Sequence, residues 1–248
     1  MKTAIYVERI KAKRRGDLLL AVGVGLLTAL SAGGRPQSEW QFAAGYSAMT
    51  LNLALMNAVV MPLTMAAVAS RLWDVETKGN GCRLLYTLQS RESLFAAKAL
   101  WGMGLNVVLC LTEGAVFLLA GRLWGFTQAL DALRTLWLLG STFAVNALLF
   151  FALLFLSVRS GTQVAPLAVG LGGSLLGVFT AYMPERIAYC LPWAYYVPMA
   201  AMRMHYDKAV RIATFEPLPL PVGLLAVTVL CAAAAYALAW RAVRRQEV

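Results

Sequence analysis

The sequence predicts an all-α integral membrane protein in which six helices cross the bilayer. The chain of 248 residues is 60% hydrophobic and only 14% charged, whereas a soluble domain is about 25% charged. Six of its segments approach the roughly 20 apolar residues that a bilayer-spanning helix needs. Helices are expected because lipid-facing strand edges would leave backbone polar groups unpaired. We therefore expect residues 1–248 to form a single transmembrane domain.

The predicted spans share long apolar sequence that is uncharged except for Glu113 in the third span. They cover residues 18–34, 46–69, 99–120, 135–158, 160–184 and 217–240. An even number of spans places both termini on one side, and 15 of the 22 Lys and Arg residues lie on that side. The positive-inside rule makes this side the cytoplasm. The charge of +10 then reflects topology and contact with lipid headgroups, and nucleic acid is not an expected partner.

Residues 1–17 are predicted to form an amphipathic helix lying on the membrane surface. Thr3, Tyr6, Val7 and Ile10 follow an i, i+3, i+4, i+7 spacing, which places apolar side chains on one face. The start of the chain also resembles a secretory signal peptide, with its basic start, apolar middle and small-residue end. The helical spacing favours the interfacial helix.

The stretch 70–98 is predicted to be a charged helical elbow in the cytoplasm. Arg71–Thr77 should continue the second helix, and the Gly-Asn-Gly sequence at 79–81 should end it. Cys82–Leu88 is expected to form a short helix with a leucine stripe. Ser90 is a candidate N-cap of the helix that enters the third span, with Glu92 in its first turn.

The external stretch 185–216 is predicted to be a re-entrant loop before the last span. Trp193, Tyr195 and Tyr196 suit the headgroup level, and the prolines around them break any long helix. Ile187–Met204 is expected to form one or two short helices that enter the outer leaflet. An ordinary surface loop with an aromatic anchor is the alternative.

Glu113 is an acidic residue in an otherwise apolar span. A charged side chain at the bilayer centre costs about 2.5–3.5 kcal/mol on insertion scales. Glu113 therefore either lines a translocation pathway or binds a polar neighbour such as Asn52, Asn57 or Asn146. Asn106, two turns earlier, falls on nearly the same helix face, so this face should point into protein.

Residues for catalysis or for a bound cofactor are scarce in the sequence. His205 is its one histidine, which leaves no histidine-based metal motif. The sequence contains neither a Gly-x-x-x-x-Gly-Lys-Ser/Thr nucleotide loop nor a Gly-x-Ser-x-Gly motif. Gly172–Gly177 superficially resembles the second of these motifs, but its small residues are better explained by close helix packing. Enzyme activity is therefore not predicted for this chain.

The arrangement of these elements resembles the ABC-2 type exporter permeases. It is most similar to the permease subunits of lantibiotic-protection (immunity) transporters. The resemblance rests on Glu76–Gly79, on "LLYTLQSRESLFAAK" after it, and on "LPWAYYVPMA" before the last span. The chain departs from the pattern at Gln89, where a turn proline is common, and at Val197, which separates Tyr196 from a proline.

The resemblance implies that the 70–98 elbow is a coupling loop that docks on a dimer of a separate ABC ATPase. ATP and Mg²⁺ would be bound by that ATPase and not by this chain. An interface with an apolar centre and a charged rim is expected to use the following residues: Leu84, Leu85 and Tyr86 at the centre, and Trp73, Asp74 and Glu76 at the rim.

The resemblance also implies a second permease subunit, identical or related, in the bacterial cytoplasmic membrane. The expected function is ATP-driven expulsion of a membrane-associated amphipathic antimicrobial peptide. Two alternatives are open: an exporter of lipids or small hydrophobic drugs, and a sensor or scaffold subunit that transports nothing.

Overall fold

A computed structural model describes residues 2–77, 90–180, 183, 185–208 and 212–245. Most of them are helical, and the remainder include one pair of strands. The elements are α1 Lys2–Arg15, α2 Asp17–Ala32, α3 Glu39–Ala43, α4 Gly45–Thr77, α5 Arg91–Trp124, α6 Ala132–Ser160, α7 Val164–Thr180, α8 Glu185–Ala188, a 3₁₀ turn Pro192–Ala194, α9 Tyr196–Met199, β1 Met202–Asp207, β2 Ile212–Pro217 and α10 Val222–Arg244.

Four of the described helices, α4, α5, α6 and α10, are long and apolar enough to cross a membrane. A fifth crossing is possible if α1 and α2, which meet at a bend of 67°, are taken together. The apolar helix α7 has 17 residues and is shorter. The prediction of a multi-pass helical membrane protein is therefore confirmed, and the count of six spans stays a prediction.

The long helices run beyond the predicted spans. α4 continues through Arg71–Thr77, as expected from the sequence. α5 begins at Arg91, where the Ser90 side chain accepts a hydrogen bond from the backbone N–H of Ser93 at 3.3 Å, so the predicted N-cap is confirmed. α7 begins later than the predicted span because Gly161, with a φ of 62°, ends α6.

Gly16 forms the bend between α1 and α2. Its φ of 68° lies in the left-handed region, which glycine enters without a steric penalty. α1 can therefore leave the axis of α2 and pack across the start of α5. The end of the bundle that carries α1 is called the α1 end below, and the opposite end is called the hairpin end.

The core lies around α4 and α6. α4 packs against α7, α6, α2 and α5, and α6 also packs against α10 and α5. Trp73, Phe95 and Phe150 are among the largest fully buried side chains in this core. α10 lies at the periphery, since only 22% of its most apolar 18-residue stretch is buried in the protein. Its outer face is therefore available to lipid or to another subunit.

α4 and α7 approach closely at Gly170. A Cβ atom added there would lie 2.5 Å from the Cβ of Ala66 and 2.9 Å from the carbonyl oxygen of Pro62. The neighbouring Gly172 has no atom within 4 Å of the same position. The small-residue stretch therefore serves helix packing on one face only.

The 185–216 stretch contains the short helices that the sequence predicted for Ile187–Met204, at α8, the 3₁₀ turn and α9. β1 and β2, which follow as an antiparallel hairpin, were not predicted. The register of the hairpin pairs Arg203 with Glu216 and Met204 with Phe215. Cross-strand pairs of opposite charge and of apolar side chains stabilise the two strands, which the sequence joins without an Asn-Gly turn.

α6 holds the base of this hairpin. Arg134 donates hydrogen bonds to the carbonyl oxygens of Ala201 and Leu218 at 3.3 and 3.2 Å. The indole N–H of Trp137 donates to the carbonyl oxygen of Met199 at 2.8 Å. Leu218 also donates its N–H to the carbonyl of Ala201 at 2.8 Å. The hairpin is thus fixed to the bundle through main-chain acceptors.

Gly170→Ala is expected to destabilise the protein by about 1–3 kcal/mol, since the new methyl group overpacks the α4–α7 contact. Its thermal midpoint in detergent should fall. The matched control, Gly172→Ala, places the same methyl group in open space and should keep or raise the midpoint, because alanine favours the helix by about 1 kcal/mol. Equal midpoints for the two variants would contradict the close approach.

Candidate functional site

Glu113 binds two polar side chains from neighbouring helices. The hydroxyl of Thr28 on α2 donates a hydrogen bond to Glu113 Oε1 at 2.8 Å, and the amide of Asn57 on α4 donates to Oε2 at 3.4 Å. All three side chains are buried, and Glu113 is 0% exposed. The carboxylate therefore faces protein in this conformation and ties α2, α4 and α5 together.

A second polar chain begins two turns away on the same face of α5. Asn106 donates to the carbonyl of Phe143 at 3.1 Å and accepts from Asn146 at 2.9 Å. Asn146 in turn accepts from the Tyr196 hydroxyl at 2.6 Å. This polar chain of hydrogen bonds connects α5, α6 and α9.

The structure thus separates the predicted intramembrane polar residues into groups. Of the three asparagines considered as partners of Glu113, Asn57 lies within hydrogen-bonding distance of it. Asn146 belongs to the second polar chain of hydrogen bonds, and Asn52 donates instead to the carbonyl of Ala32 at 3.2 Å. Thr28 was not predicted, since a threonine in an apolar helix usually bonds its own backbone. The carbonyl oxygen of Val24, at 2.9 Å, competes with Glu113 for the single hydroxyl proton of Thr28.

Lys98 is the centre of a charged cluster at the α1 end. Its ammonium group is 0% exposed and donates to Glu76 at 2.7 Å, to Glu8 at 3.1 Å and to the carbonyl of Leu72 at 2.6 Å. Three acceptors match the three N–H donors of a lysine. The buried charge is therefore both paired and fully hydrogen-bonded, which is the condition for tolerating it.

The remaining ion pairs of the charged cluster extend from Lys98 along α1. Lys11 donates to Glu76 at 2.7 Å. Arg15 donates to Asp17 at 2.9 Å and lies 3.6 Å from Glu8. Arg71 lies near Asp17 and donates to the carbonyl of Arg15. The members are Glu8, Lys11, Arg15, Asp17, Arg71, Glu76 and Lys98.

The charged cluster shows how α1 packs on α5. Glu8 lies off the face that carries Tyr6 and Ile10, and it is buried and paired with Lys98. The exposed face of α1 carries Tyr6, Arg9, Ile10 and Lys13, which follow helical spacing. Lys98 in the sequence "FAAKALW" was the available signal, because a charge among apolar residues two turns inside a helix needs a partner.

The structure also locates the predicted ATPase-coupling residues. Leu84, Leu85 and Tyr86 lie outside the described residues. Trp73 and Glu76 were expected on an exposed rim, but they are only 1% and 2% exposed. Trp73 packs in the core and Glu76 pairs with Lys98, so neither side chain is available at the surface in this conformation. Asp74 is half-buried, and its role stays a prediction.

The end of α4 and the start of α5 are joined by this cluster. Glu76 lies one residue before the end of α4, and Lys98 lies two turns into α5. Their ion pair at 2.7 Å therefore links the two helices that precede and follow residues 78–89. A movement of either helix end would act on α1 as well, because Glu8 shares Lys98 with Glu76.

The aromatic residues of the 185–216 stretch pack against the bundle. Tyr195 and Tyr196 are buried, and the Tyr195 hydroxyl donates to the carbonyl of Tyr189 at 3.2 Å. Trp193 packs against Gly173 of α7. Hydrogen-bonded hydroxyls allow the two tyrosines to be buried in protein, and the headgroup level of all three residues stays a prediction.

A cavity of about 580 Å³ lies at the hairpin end, beside these aromatics. Its walls come from α4, the short external helices, the hairpin and the start of α10. The lining is largely apolar, with Leu51, Leu55, Val197 and Met204 among its residues. Its volume is typical of a site for a small hydrophobic molecule or a few side chains.

Among the residues that the structure describes, no group of three or more His, Cys, Asp and Glu side chains could hold a metal ion. The side chains that carry the candidate site are therefore the intramembrane polar groups and the charged cluster.

A family model described as ABC-2 family transporter protein matches residues 4–177. The match covers more than half of the chain, and the chain belongs to this family. It is accordingly a membrane subunit of an ABC transporter, which implies partnership with an ABC ATPase. A comparison with curated proteins gives no match.

Lys98→Met is expected to lower the free energy of unfolding by about 3–5 kcal/mol, because it leaves two buried carboxylates without their shared partner. Unfolding can be followed by helical signal during denaturant titration in detergent. The control is Lys11→Met, which removes the same charge from a more exposed side chain and leaves Lys98 on Glu76. It should cost less than half as much. Equal losses would contradict the central position of Lys98.

The pair Thr28 and Glu113 can be tested by a double-mutant cycle with Thr28→Val and Glu113→Met, since a glutamine would keep an oxygen that accepts from Thr28. Hydrogen bonds between membrane helices contribute about 0.6 kcal/mol on average and up to about 1.7 kcal/mol. We expect a coupling energy in that range from unfolding measurements. The reference cycle pairs Thr28→Val with Asn146→Ala, which lies in the other polar chain, and should give additive effects. Additivity in both cycles would mean that the Thr28 contact contributes nothing.

Proposed function

We propose that the chain is the permease subunit of an ATP-driven exporter that removes a membrane-associated antimicrobial peptide of the lantibiotic type. Family membership supports the transporter class. The observation that carries the coupling mechanism is the Lys98–Glu76 ion pair, which joins both flanks of the coupling loop and links them to α1.

The proposed topology has six spans with both termini in the cytoplasm of a bacterium. α2 and α7, with 16 and 17 residues, each extend about 24–26 Å, slightly less than the roughly 30 Å hydrocarbon core. Flanking residues or local thinning of the bilayer would complete these two spans. The charged cluster then lies at the cytoplasmic side and the hairpin outside.

Coupling is proposed to begin at Leu84, Leu85 and Tyr86, which would contact the ATPase dimer. Closure of the ATP-bound dimer would move the loop, and the ion pairs would pass this movement to α4, α5 and α1. Rotation of α5 and α6 would in turn shift α9 through the hydrogen bonds of the polar chain Asn106–Asn146–Tyr196. In this mechanism Glu113 holds helices together instead of contacting the substrate.

A second permease subunit is proposed to complete the translocation path. The outer face of α10 is apolar and largely exposed, with Leu230 and Leu238 on it. A transport path between two such chains would let an amphipathic peptide enter from the bilayer. The apolar cavity near the hairpin would then receive its side chains on the outer side.

The exporter of a small hydrophobic molecule is the second candidate, and the size of the hairpin-end cavity favours it. Both candidates share the ATPase partner and differ in the ligand that stimulates hydrolysis. The same reconstituted system therefore distinguishes them.

Leu84→Ala with Leu85→Ala is expected to abolish stimulated ATP hydrolysis when the permease and its ATPase are reconstituted in proteoliposomes. The loss follows from removal of the apolar centre of the docking surface. Membrane insertion and the thermal midpoint of the permease should not change. The control pair is Leu118→Ala with Leu119→Ala, whose exposed side chains on α5 are far along the chain from the loop; it should keep full stimulation. Retained stimulation in the first variant would reject the docking surface.

In the same proteoliposomes, a lanthionine-containing peptide should raise ATP hydrolysis more than a linear peptide of equal charge. Stimulation by a hydrophobic drug alone would reject the peptide substrate and support the second candidate. Failure of any ATPase to purify with the chain from its native membrane would contradict the transport mechanism and favour the sensor alternative.

A further inference from the structure

We propose that the groove between α1 and α2 is a binding site for one anionic phospholipid. The groove encloses about 700 Å³ and is lined by residues of α1, the bend at Gly16, the start of α2, and Trp101 of α5. The lipid site rests on the proposed function only in placing α1 at the cytoplasmic membrane surface. The ion-paired face of α1 is turned away from it.

The charge of the groove selects the headgroup. Arg9 and Lys13 lie one turn apart on the exposed face of α1, and none of the nine described residues that line the groove is acidic. Glu8, the nearest carboxylate on α1, is buried and paired with Lys98 at 3.1 Å. The groove therefore presents two positive charges that the neighbouring acid does not neutralise, and the cytoplasmic leaflet supplies anionic headgroups.

The apolar part of the groove suits an acyl chain. Tyr6 and Ile10 are exposed on α1, and Leu18 and Leu19 are exposed on α2, at 62%, 47%, 55% and 78%. They form an apolar wall directly beside the two basic residues. A soluble phosphate has no part that contacts this wall, whereas a phospholipid whose headgroup binds Arg9 and Lys13 would lay an acyl chain along it.

Trp101 adds aromatic surface to the groove. Its indole N–H is covered by protein, so the ring offers apolar contact and no hydrogen bond to a ligand in the groove. The groove therefore combines two positive charges with an apolar wall.

The test is a titration of the purified chain with phosphatidylglycerol or with phosphatidylcholine of the same acyl chains, read by native mass spectrometry. The wild type should retain one phosphatidylglycerol per chain with roughly tenfold or greater preference. Arg9→Gln with Lys13→Gln should lose that preference. The control, Arg159→Gln with Arg241→Gln, removes two exposed charges from the same end of the bundle and should keep it.

Two further arms separate the possible occupants. Trp101→Ala, which removes the aromatic surface of the groove, should weaken phosphatidylglycerol binding about threefold or more. Millimolar glycerol phosphate should not displace the lipid, because it lacks the acyl chains. Complete displacement by glycerol phosphate, equal binding of both lipids by the wild type, or loss of preference in the control would overturn the proposal.

The readout is independent of ATP hydrolysis. A chain that binds phosphatidylglycerol as expected but fails to couple to an ATPase would contradict the proposed function alone. A coupled transporter without lipid preference would contradict the lipid site alone.

Discussion

A single buried ammonium group determines how the α1 end of this protein is assembled. Lys98 is fully withdrawn from solvent, and its three hydrogen bonds reach α1 and α4 from a position on α5. A charge in that position is stable only when its partners keep their places. The bend at Gly16, the orientation of α1 and the extension of α4 past the apolar core all satisfy this requirement. Rearrangement of any one of these helices would remove at least one of the hydrogen bonds that satisfy the buried ammonium group.

The same constraint explains the two faces of α1. Glu8, the one carboxylate of α1, is used internally, so the exposed face is left with basic and apolar side chains. The deeper polar contacts differ in kind. Glu113 and the asparagine chain join helices through single hydrogen bonds of modest strength, which can break and re-form during a conformational change. The protein therefore has a firmly ion-paired end and a more adaptable middle.

Local sequence predicted the helices well. Apolar stretches fixed α4, α5, α6 and α10, and Ser90 marked the start of α5 because a cap acts within one turn. Asn57 could be named as a partner of Glu113, since few polar groups occur in the spans. The contact between Glu8 and Lys98 could not be found in this way, because 90 residues separate them and helical spacing carries no information about a distant helix. The hairpin was missed for a related reason: its stability comes from pairs across two strands, and neither strand has a strong pattern alone.

The attachment of the hairpin has a consequence for how this protein can diverge. Arg134 and Trp137 donate hydrogen bonds to the backbone carbonyl oxygens of Met199, Ala201 and Leu218, which flank the hairpin. Every amino acid has a backbone carbonyl oxygen. Substitutions in the hairpin can thus alter its outer surface while its seat on α6 is preserved. The surface of the hairpin can therefore change during evolution while the helices beneath it stay the same.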